Sequence, residues 1–446
     1  MTINPHPVIP SGLPALDPAS RQHQQAVEAC LIRNIEEATL GFLPFEQWMN
    51  LALYAPGLGY YAAGNTKFGG DLPTGDFTTA PELTPLFGQT LARQAAQILA
   101  ASNSNRVLEF GAGSGALAAA LIPALRQLGI DPDYQILEIS ADLRARQQQN
   151  LAGSEASITW LDHLPEAFSG CVIANEVLDA MPATLFRWGQ NEKLYEIGVS
   201  LSAIDGDTST MTLAQRATRL AHAGHPGDTE RPQSGPLPNT DAGAFNRSPT
   251  DESPPAVPFI YVERLASQAL QQAMAQRMPA LAGYQSEINL QAEAWIRQMG
   301  NWLERGAALL IDYGFPQREY YHPQRATGTL MCHFRHHAHG EPLLHAGLQD
   351  ITTHVDFTAM ADAALAAGLD VLGYTSQARF LMNAGLPQLL AQLDPSDAQQ
   401  YARAMAPVQK LIAETEMGEL FKVLAIGRGV TGPLTGFASG DRRHRL

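Results

Sequence analysis

Hydrophobic positions recur at helical spacing through the first hundred residues. Ala26, Cys30, Ile32, Ile35 and Ala38 form a rough stripe, and Pro44 opens a second segment whose apolar face is Phe45, Trp48, Met49, Ala52 and Leu53. Both patterns predict helices with one buried face, and a third is expected over residues 83–101. From residue 106 the period changes. Short apolar runs at 106–110, 134–139, 158–161 and 171–175 are strand candidates, with helical stretches at 116–128 and 141–150 between the first three. Strands joined through a helix run parallel with right-handed crossovers, so this part of the chain predicts an α/β sheet. Segments 185–188 and 194–199 predict a hairpin built on that sheet. Helices are expected near 263–276 and 290–303, a fifth strand at 307–312, and a long loop rich in aromatics and histidines over 315–353. A helix at 358–367, a strand at 371–374, helices over 378–416 and a last strand at 421–426 complete the pattern.

Between 203 and 258 the periodicity disappears. This stretch is rich in Pro, Gly, Ser, Thr and Asp and poor in core-forming residues, a composition expected of a disordered insertion. The resulting organisation is a disordered lead-in (1–22), a helical N-terminal region (23–104), a first part of the sheet domain (105–202), the insertion, a helical insertion (259–306), the rest of the sheet domain (307–430) and a flexible tail (431–446). In the N-terminal region, Tyr54-Ala55-Pro56-Gly57-Leu58-Gly59-Tyr60-Tyr61 and Gly75-Asp76-Phe77-Thr78-Thr79-Ala80-Pro81-Glu82 lack any amphipathic period but are rich in glycine and aromatics. A lid or substrate-binding loop is the expectation there.

Composition removes several classes of function. The 446 residues carry a formal charge of −15, which argues against nucleic acid as a partner and suits a cationic one. No run of 18 or more apolar residues predicts a membrane span. The first twenty residues lack the layouts of a signal or transit peptide, so cytoplasmic residence is expected. Cys30, Cys171 and Cys332 read as reduced thiols rather than a disulfide framework. The histidines His333, His336, His337, His339, His345 and His354 match no tetrahedral template, and no metal is expected.

The chemistry concentrates at strand ends. Val107-Leu108-Glu109-Phe110 runs into Gly111-Ala112-Gly113-Ser114-Gly115, an apolar strand, a glycine turn and then a helix. Glycines at alternate positions let a ligand lie against the backbone and tolerate positive φ. The spacing differs from the dinucleotide fingerprint G-x-G-x-x-G and matches the S-adenosylmethionine turn of class I methyltransferases. Glu109 is placed to reach the ligand's polar end. Glu138, one helix and one strand later, is placed to grip both ribose hydroxyls. Asp162, after the third strand, is placed to accept from the adenine amine. The fourth strand ends in Asn175-Glu176-Val177-Leu178-Asp179, putting three polar groups where the reactive methyl faces its acceptor. Helix capping accounts for Asn175 and Asp179 but not for the glutamate between them.

Four motifs in order, Gly75–Glu82, Asn175-Glu176-Val177-Leu178-Asp179-Ala180-Met181-Pro182, Asp312-Tyr313-Gly314 and Asp350-Ile351-Thr352-Thr353-His354-Val355-Asp356-Phe357, resemble the MidA-like family of S-adenosylmethionine-dependent methyltransferases. That family is related to the mitochondrial complex I assembly factor. The match runs from about Gly41 to Gly427 and leaves out the insertion. The resemblance implies an α/β class I (Rossmann-like) fold, with a seven-stranded, mostly parallel sheet whose final strand is inserted antiparallel. It further implies protein arginine methylation with a symmetric dimethylarginine product, and a protein substrate of the respiratory-complex type. Glu176 and Asp179 are the expected acceptor-side acids, with Asn175 beside them, Asp76 closing from the loop and His354 orienting that region or taking a proton. Glu82 and Asp356 are further acids, and Thr79 joins Glu109, Gly111, Gly113, Gly115, Glu138 and Asp162 as an expected cofactor contact. A small-molecule acceptor and a non-catalytic assembly role remain open alternatives, as does a homodimer.

Overall fold

The computed structural model describes residues 6–63, 78–154, 156–202, 257–394, 396 and 398–446. Its centre is a sheet whose strands, in chain order, are β1 (Arg106–Phe110), β2 (Asp133–Leu137), β3 (Ser157–Leu161), β4 (Phe168–Asn175), β5 (Leu303–Phe315), β6 (Asp370–Ser376) and β7 (Phe421–Arg428). Their spatial order is β6-β7-β5-β4-β1-β2-β3, and a short eighth strand, Val355–Asp356, pairs in parallel with the end of β5. β5, β4, β1, β2 and β3 pair in parallel, while β7 lies antiparallel between β5 and β6. The central strands are buried on both faces, which is why β1, β4 and β5 read as continuous apolar runs. One face packs on the helices Pro85–Ser102 and Ala116–Gln127, and the other on Leu290–Trp302 and Phe357–Ala366.

A second sheet stands apart from the first. Thr184–Trp188 pairs with Leu194–Leu201 as expected of a hairpin, but the hairpin is not built on the main sheet. It pairs instead with Gln285–Ile288, Phe259–Leu265 and the short Leu43–Pro44 strand. The N-terminal helices Pro18–Glu37 and Phe45–Tyr54 cover it through a core of Val27, Leu31, Trp48, Leu185 and Val199.

Several boundaries differ from the sequence reading. The lead-in does not run to residue 22, because the first helix begins at Pro18, capped by the Asp17 carboxylate on the Ser20 N–H at 2.9 Å. The expected helical insertion contains two strands, since Phe259–Leu265 and Gln285–Ile288 gain their partners from segments distant in sequence. Within the long loop, Met331–Phe334, His337–His339 and Asp350–Thr352 form a small antiparallel sheet. The tail expected to be flexible is ordered, with Leu434 and Phe437 buried and Arg442 paired with Glu419. Asp76 and residues 203–256 lie outside the described residues. No helix among the described residues is long and apolar enough to cross a membrane.

Candidate active site

A cavity of about 1080 Å3 opens beyond the carboxyl ends of β1, β2, β4 and β5, where parallel sheets bind their ligands. Gly111, Gly113 and Gly115 line its floor or flank it with φ of +60°, +54° and +85°. A side chain at any of these would be strained, and a Cβ at Gly111 would press on Val177 Cγ2 at 3.3 Å. The backbone is therefore bare on the side that faces the cavity.

Glu109 and Glu138 close this end. Glu109 is buried on β1 and accepts from the Tyr134 hydroxyl at 2.6 Å; burial pushes its carboxyl up to about 7. Glu138 stands one residue past the end of β2 and accepts from the Ser140 N–H at 2.9 Å and from Gln147 Nε2 at 3.0 Å. Gln147 is fully buried and also donates to the Gly113 carbonyl at 3.0 Å, while its Oε1 accepts from Trp160 Nε1 at 2.9 Å. One side chain thus ties the glycine turn, the β2 acid and β3 together. Glu82, on the short helix Ala80–Leu83, is bonded by the Ser114 side chain within the turn, and burial raises its pKa. Thr79 lines the same wall.

Asp162 does not belong to this site. Its side chain is 71% exposed, paired with Arg144 at 2.5 Å, and is absent from the cavity wall, where Leu143 and Leu164 stand instead. The guanidinium turns the carboxylate away and holds it below the ordinary aspartate range.

The opposite end is acidic and aromatic. Glu176 follows β4 with φ of +54°, a conformation held by its N–H on the Ile311 carbonyl at 2.9 Å. Its carboxylate accepts from Asn175 Nδ2 at 3.1 Å and from the Ala80 N–H at 3.4 Å. Burial, then the neighbouring Asp179, pushes its pKa up to about 8. Asp179 is buried and takes the Tyr313 hydroxyl at 2.5 Å on Oδ2; burial raises it to about 6. Beneath them, buried Asp312 accepts from the N–H groups of Leu178 at 3.0 Å, Asp179 at 3.2 Å and Tyr313 at 2.9 Å. It shapes the corner that presents both acids.

Tyr54 and Tyr61 stack at 5.5 Å on the facing wall, with the Tyr54 hydroxyl on the Ala180 carbonyl and the Tyr61 hydroxyl on Asp350 Oδ1, both at 2.8 Å. His354 lies against Phe315, ring planes 8° apart, and edge-on to Tyr313. Burial lowers its pKa to about 4, so it is neutral at physiological pH. Its proton-accepting role is therefore weak, while its packing role is plain. Asp356 is not on this cavity wall; it caps the helix Phe357–Ala366 through the N–H groups of Thr358 and Ala359.

Six carboxylates line the cavity, Glu82, Glu109, Glu138, Glu176, Asp179 and Asp350, and among the described residues no Lys or Arg joins them. Several buried polar atoms there have no partner among the described residues: Glu82 Oε2, Asn175 Oδ1 and Asp179 Oδ1. A bare glycine turn beside two strand-end acids, facing unsatisfied acceptors, fits a cationic nucleoside such as S-adenosylmethionine and a donor-rich acceptor opposite it. No group of three or more His, Cys, Asp or Glu among the described residues is arranged to hold a metal.

Of the residues expected at one site, the structure brings Glu109, Gly111, Gly113, Glu138, Asn175, Glu176 and Asp179 to the wall of one cavity, while Gly115 ends the turn outside that wall. Sequence reasoning gave no role to Gln147, Tyr313, Asp312 and Asp350. A carboxylate ending the wholly apolar run Ala307-Ala308-Leu309-Leu310-Ile311 was the available signal for Asp312.

Comparison with known proteins agrees with this geometry. A family model described as an S-adenosyl-L-methionine-dependent methyltransferase matches residues 90–375. A crystal structure from Burkholderia thailandensis bound to S-adenosyl-homocysteine is 45% identical, covers 98% of this chain and all of its own, and superposes with a TM-score of 0.82. The "Protein arginine methyltransferase NDUFAF7 homolog, mitochondrial" of Drosophila melanogaster is 25% identical over 96% of this chain and 94% of its own length. The Danio rerio protein of similar name is 25% identical over 86% and 83%. These mitochondrial names overturn the expectation of cytoplasmic residence; missing leader features carry no positive signal for any compartment. The chain belongs to the family of S-adenosyl-L-methionine-dependent methyltransferases.

Proposed function

We propose that the protein transfers the methyl group to a guanidinium nitrogen of an arginine in a protein substrate. The observation that carries this reading is the cavity wall: six carboxylates, two stacked tyrosines and no described cation. The curated relatives named as protein arginine methyltransferases support it.

S-adenosylmethionine, when bound, supplies a methyl on a sulfonium that leaves as a neutral thioether. Gly111, Gly113 and Gly115 make room for it, Glu138 takes its ribose hydroxyls, and Glu109 and Glu82 border its charged end. Arginine keeps its charge in water, so the acceptor side must orient a cation and take one proton from it. Glu176 and Asp179 hold the guanidinium, with Asn175 accepting from it beside them. As it enters, it draws the Glu176 carboxyl into its ionised form beside an Asp179 that is mostly ionised at neutral pH. The methylated nitrogen then gives its proton to this pair. Tyr313 fixes Asp179 Oδ2, leaving Oδ1 for the acceptor. Tyr54 and Tyr61 flank the cation and keep water from it.

Incubation with methyl-labelled S-adenosylmethionine and the proteins of a cell extract, followed by acid hydrolysis, tests the reading. Label is expected in methylarginines. Label in free metabolites or in lysine, with none in arginine, would overturn it.

A further inference from the structure

A second cavity, of about 420 Å3, lies beside the first and shares the side chains of Met331 and His354 with it. Met331, 37% exposed, lines both. The wall of this second cavity includes Glu287, Gly328, Arg325, Gln285, Tyr261 and Phe315.

Glu287 is its most telling element. The residue is 1% exposed, at the end of the second sheet. Its Oε1 is saturated, accepting from the Tyr320 hydroxyl at 2.9 Å, the Thr329 N–H at 2.9 Å and the Thr329 hydroxyl at 2.5 Å. Its Oε2 lies against Gly328, where a Cβ would come within 2.2 Å of it. Gly328 has φ of +78°, so the chain keeps that oxygen uncrowded with the residue best able to do so. With three donors on Oε1, Oε2 is the carboxylate's remaining acceptor in the wall of this cavity. Arg325 supplies the opposite polarity: its guanidinium lies 4.1 Å over the Phe315 ring, and its Nη1 donates to the Glu319 carbonyl and to the Tyr320 carbonyl at 3.3 Å, leaving Nε and Nη2 for a ligand.

We infer that this second cavity binds the backbone of the substrate polypeptide next to the arginine that enters the first, a peptide N–H donating to Glu287 Oε2 and a peptide carbonyl accepting from Arg325. An acceptor beside a donor is the complement of a peptide group, and the shared Met331 and His354 put the two cavities within one short stretch of chain. This inference rests on the proposed protein substrate.

The test compares a heptapeptide library centred on arginine with N-acetyl-arginine amide as acceptors for labelled methyl. Wild-type protein is expected to use the peptides with a KM about tenfold lower than the single residue, one buried polar contact corresponding to roughly that factor. Arg325→Met is expected to raise the peptide KM toward the single-residue value without changing kcat, the KM for N-acetyl-arginine amide or S-adenosyl-homocysteine affinity. Glu287→Gln, which keeps the shape and can rotate its amide, provides a second variant with the same expected split. Equal KM values for the two acceptors in wild type, or an unchanged peptide KM in Arg325→Met, would overturn the inference. Failure to label arginine in either acceptor would instead overturn the functional reading beneath it.

Discussion

The two ends of the large cavity are built from different kinds of chain. The cofactor end comes mainly from one stretch, residues 109–147, in which a strand, a glycine turn, a helix and a second strand follow one another, with Thr79 and Glu82 joining from the N-terminal region. The acceptor end is gathered from far apart: Tyr54 and Tyr61 from the N-terminal region, Glu176 and Asp179 after β4, Tyr313 from β5 and Asp350 from the small sheet. The first end is local chemistry, fixed by the spacing of glycines and acids. The second exists only once the fold has formed; burial holds Glu176 largely protonated at neutral pH, while Asp179, raised less, is mostly ionised. A site of the first kind can serve many acceptors, whereas the second kind sets which acceptor is used.

This division can be broken from either side. The largest effect is expected of Gly113→Val, which puts a branched side chain where φ is +54° and the backbone must stay bare. S-adenosyl-homocysteine affinity should fall at least ~100-fold by calorimetry, each 1.4 kcal/mol being about tenfold. Asp179→Asn should do the reverse, lowering turnover ~100-fold while cofactor affinity stays within about twofold. If both variants changed both quantities together, the two ends would not be separate.

A smaller effect tests how the cofactor end is held. Gln147→Leu removes the bonds to Gly113, Glu138 and Trp160 at once. Cofactor affinity should drop about tenfold, with an altered Trp160 fluorescence, and the acceptor KM should not move. An unchanged affinity would mean that the turn and Glu138 need no such support.

The smallest effect is one of pH. Glu176 titrates near 8 and Asp179 near 6 in the folded protein, both raised by burial. A cationic acceptor binds their ionised forms, so its KM should fall several-fold as pH rises from about 6 to 8 and level off above. Stability runs the other way. Unfolding lets Glu176 ionise near its ordinary 4.5, so its contribution is fully present below that pH and is lost as pH rises toward 8. Glu176→Gln should flatten both trends, measured by acceptor KM and by Tm across the same range.

How much of this was legible beforehand follows the same division. β1, the glycine turn and Glu138 could be read because an apolar run, a turn and an acid stand at fixed offsets. The parallel order of the sheet followed from strands alternating with helices. Asp162 misled because a strand-end acid looks alike whether it faces a ligand or, as here, Arg144. The strand Phe259–Leu265 overlaps the start of the helix expected near 263–276 and is hard to read locally, because its alternation is short and its partner, Leu194–Leu201, lies across the insertion. Gln147 acts through a hydrogen bond to the Gly113 carbonyl, 34 residues away, which no local pattern encodes, and the apolar run before Asp312 marks that acid without showing that it bonds the Leu178 N–H.

We propose that the acceptor end selects a guanidinium cation through Glu176 and Asp179. The most direct measurement is calorimetric titration of N-acetyl-arginine amide into the S-adenosyl-homocysteine complex at pH 8, with the urea isostere N-acetyl-citrulline amide as the neutral control. Binding of the arginine compound alone is expected, with its loss in the Glu176→Gln, Asp179→Asn double variant and unchanged S-adenosyl-homocysteine affinity in that variant. Equal binding of both compounds, or arginine binding that survives the double substitution, would contradict it.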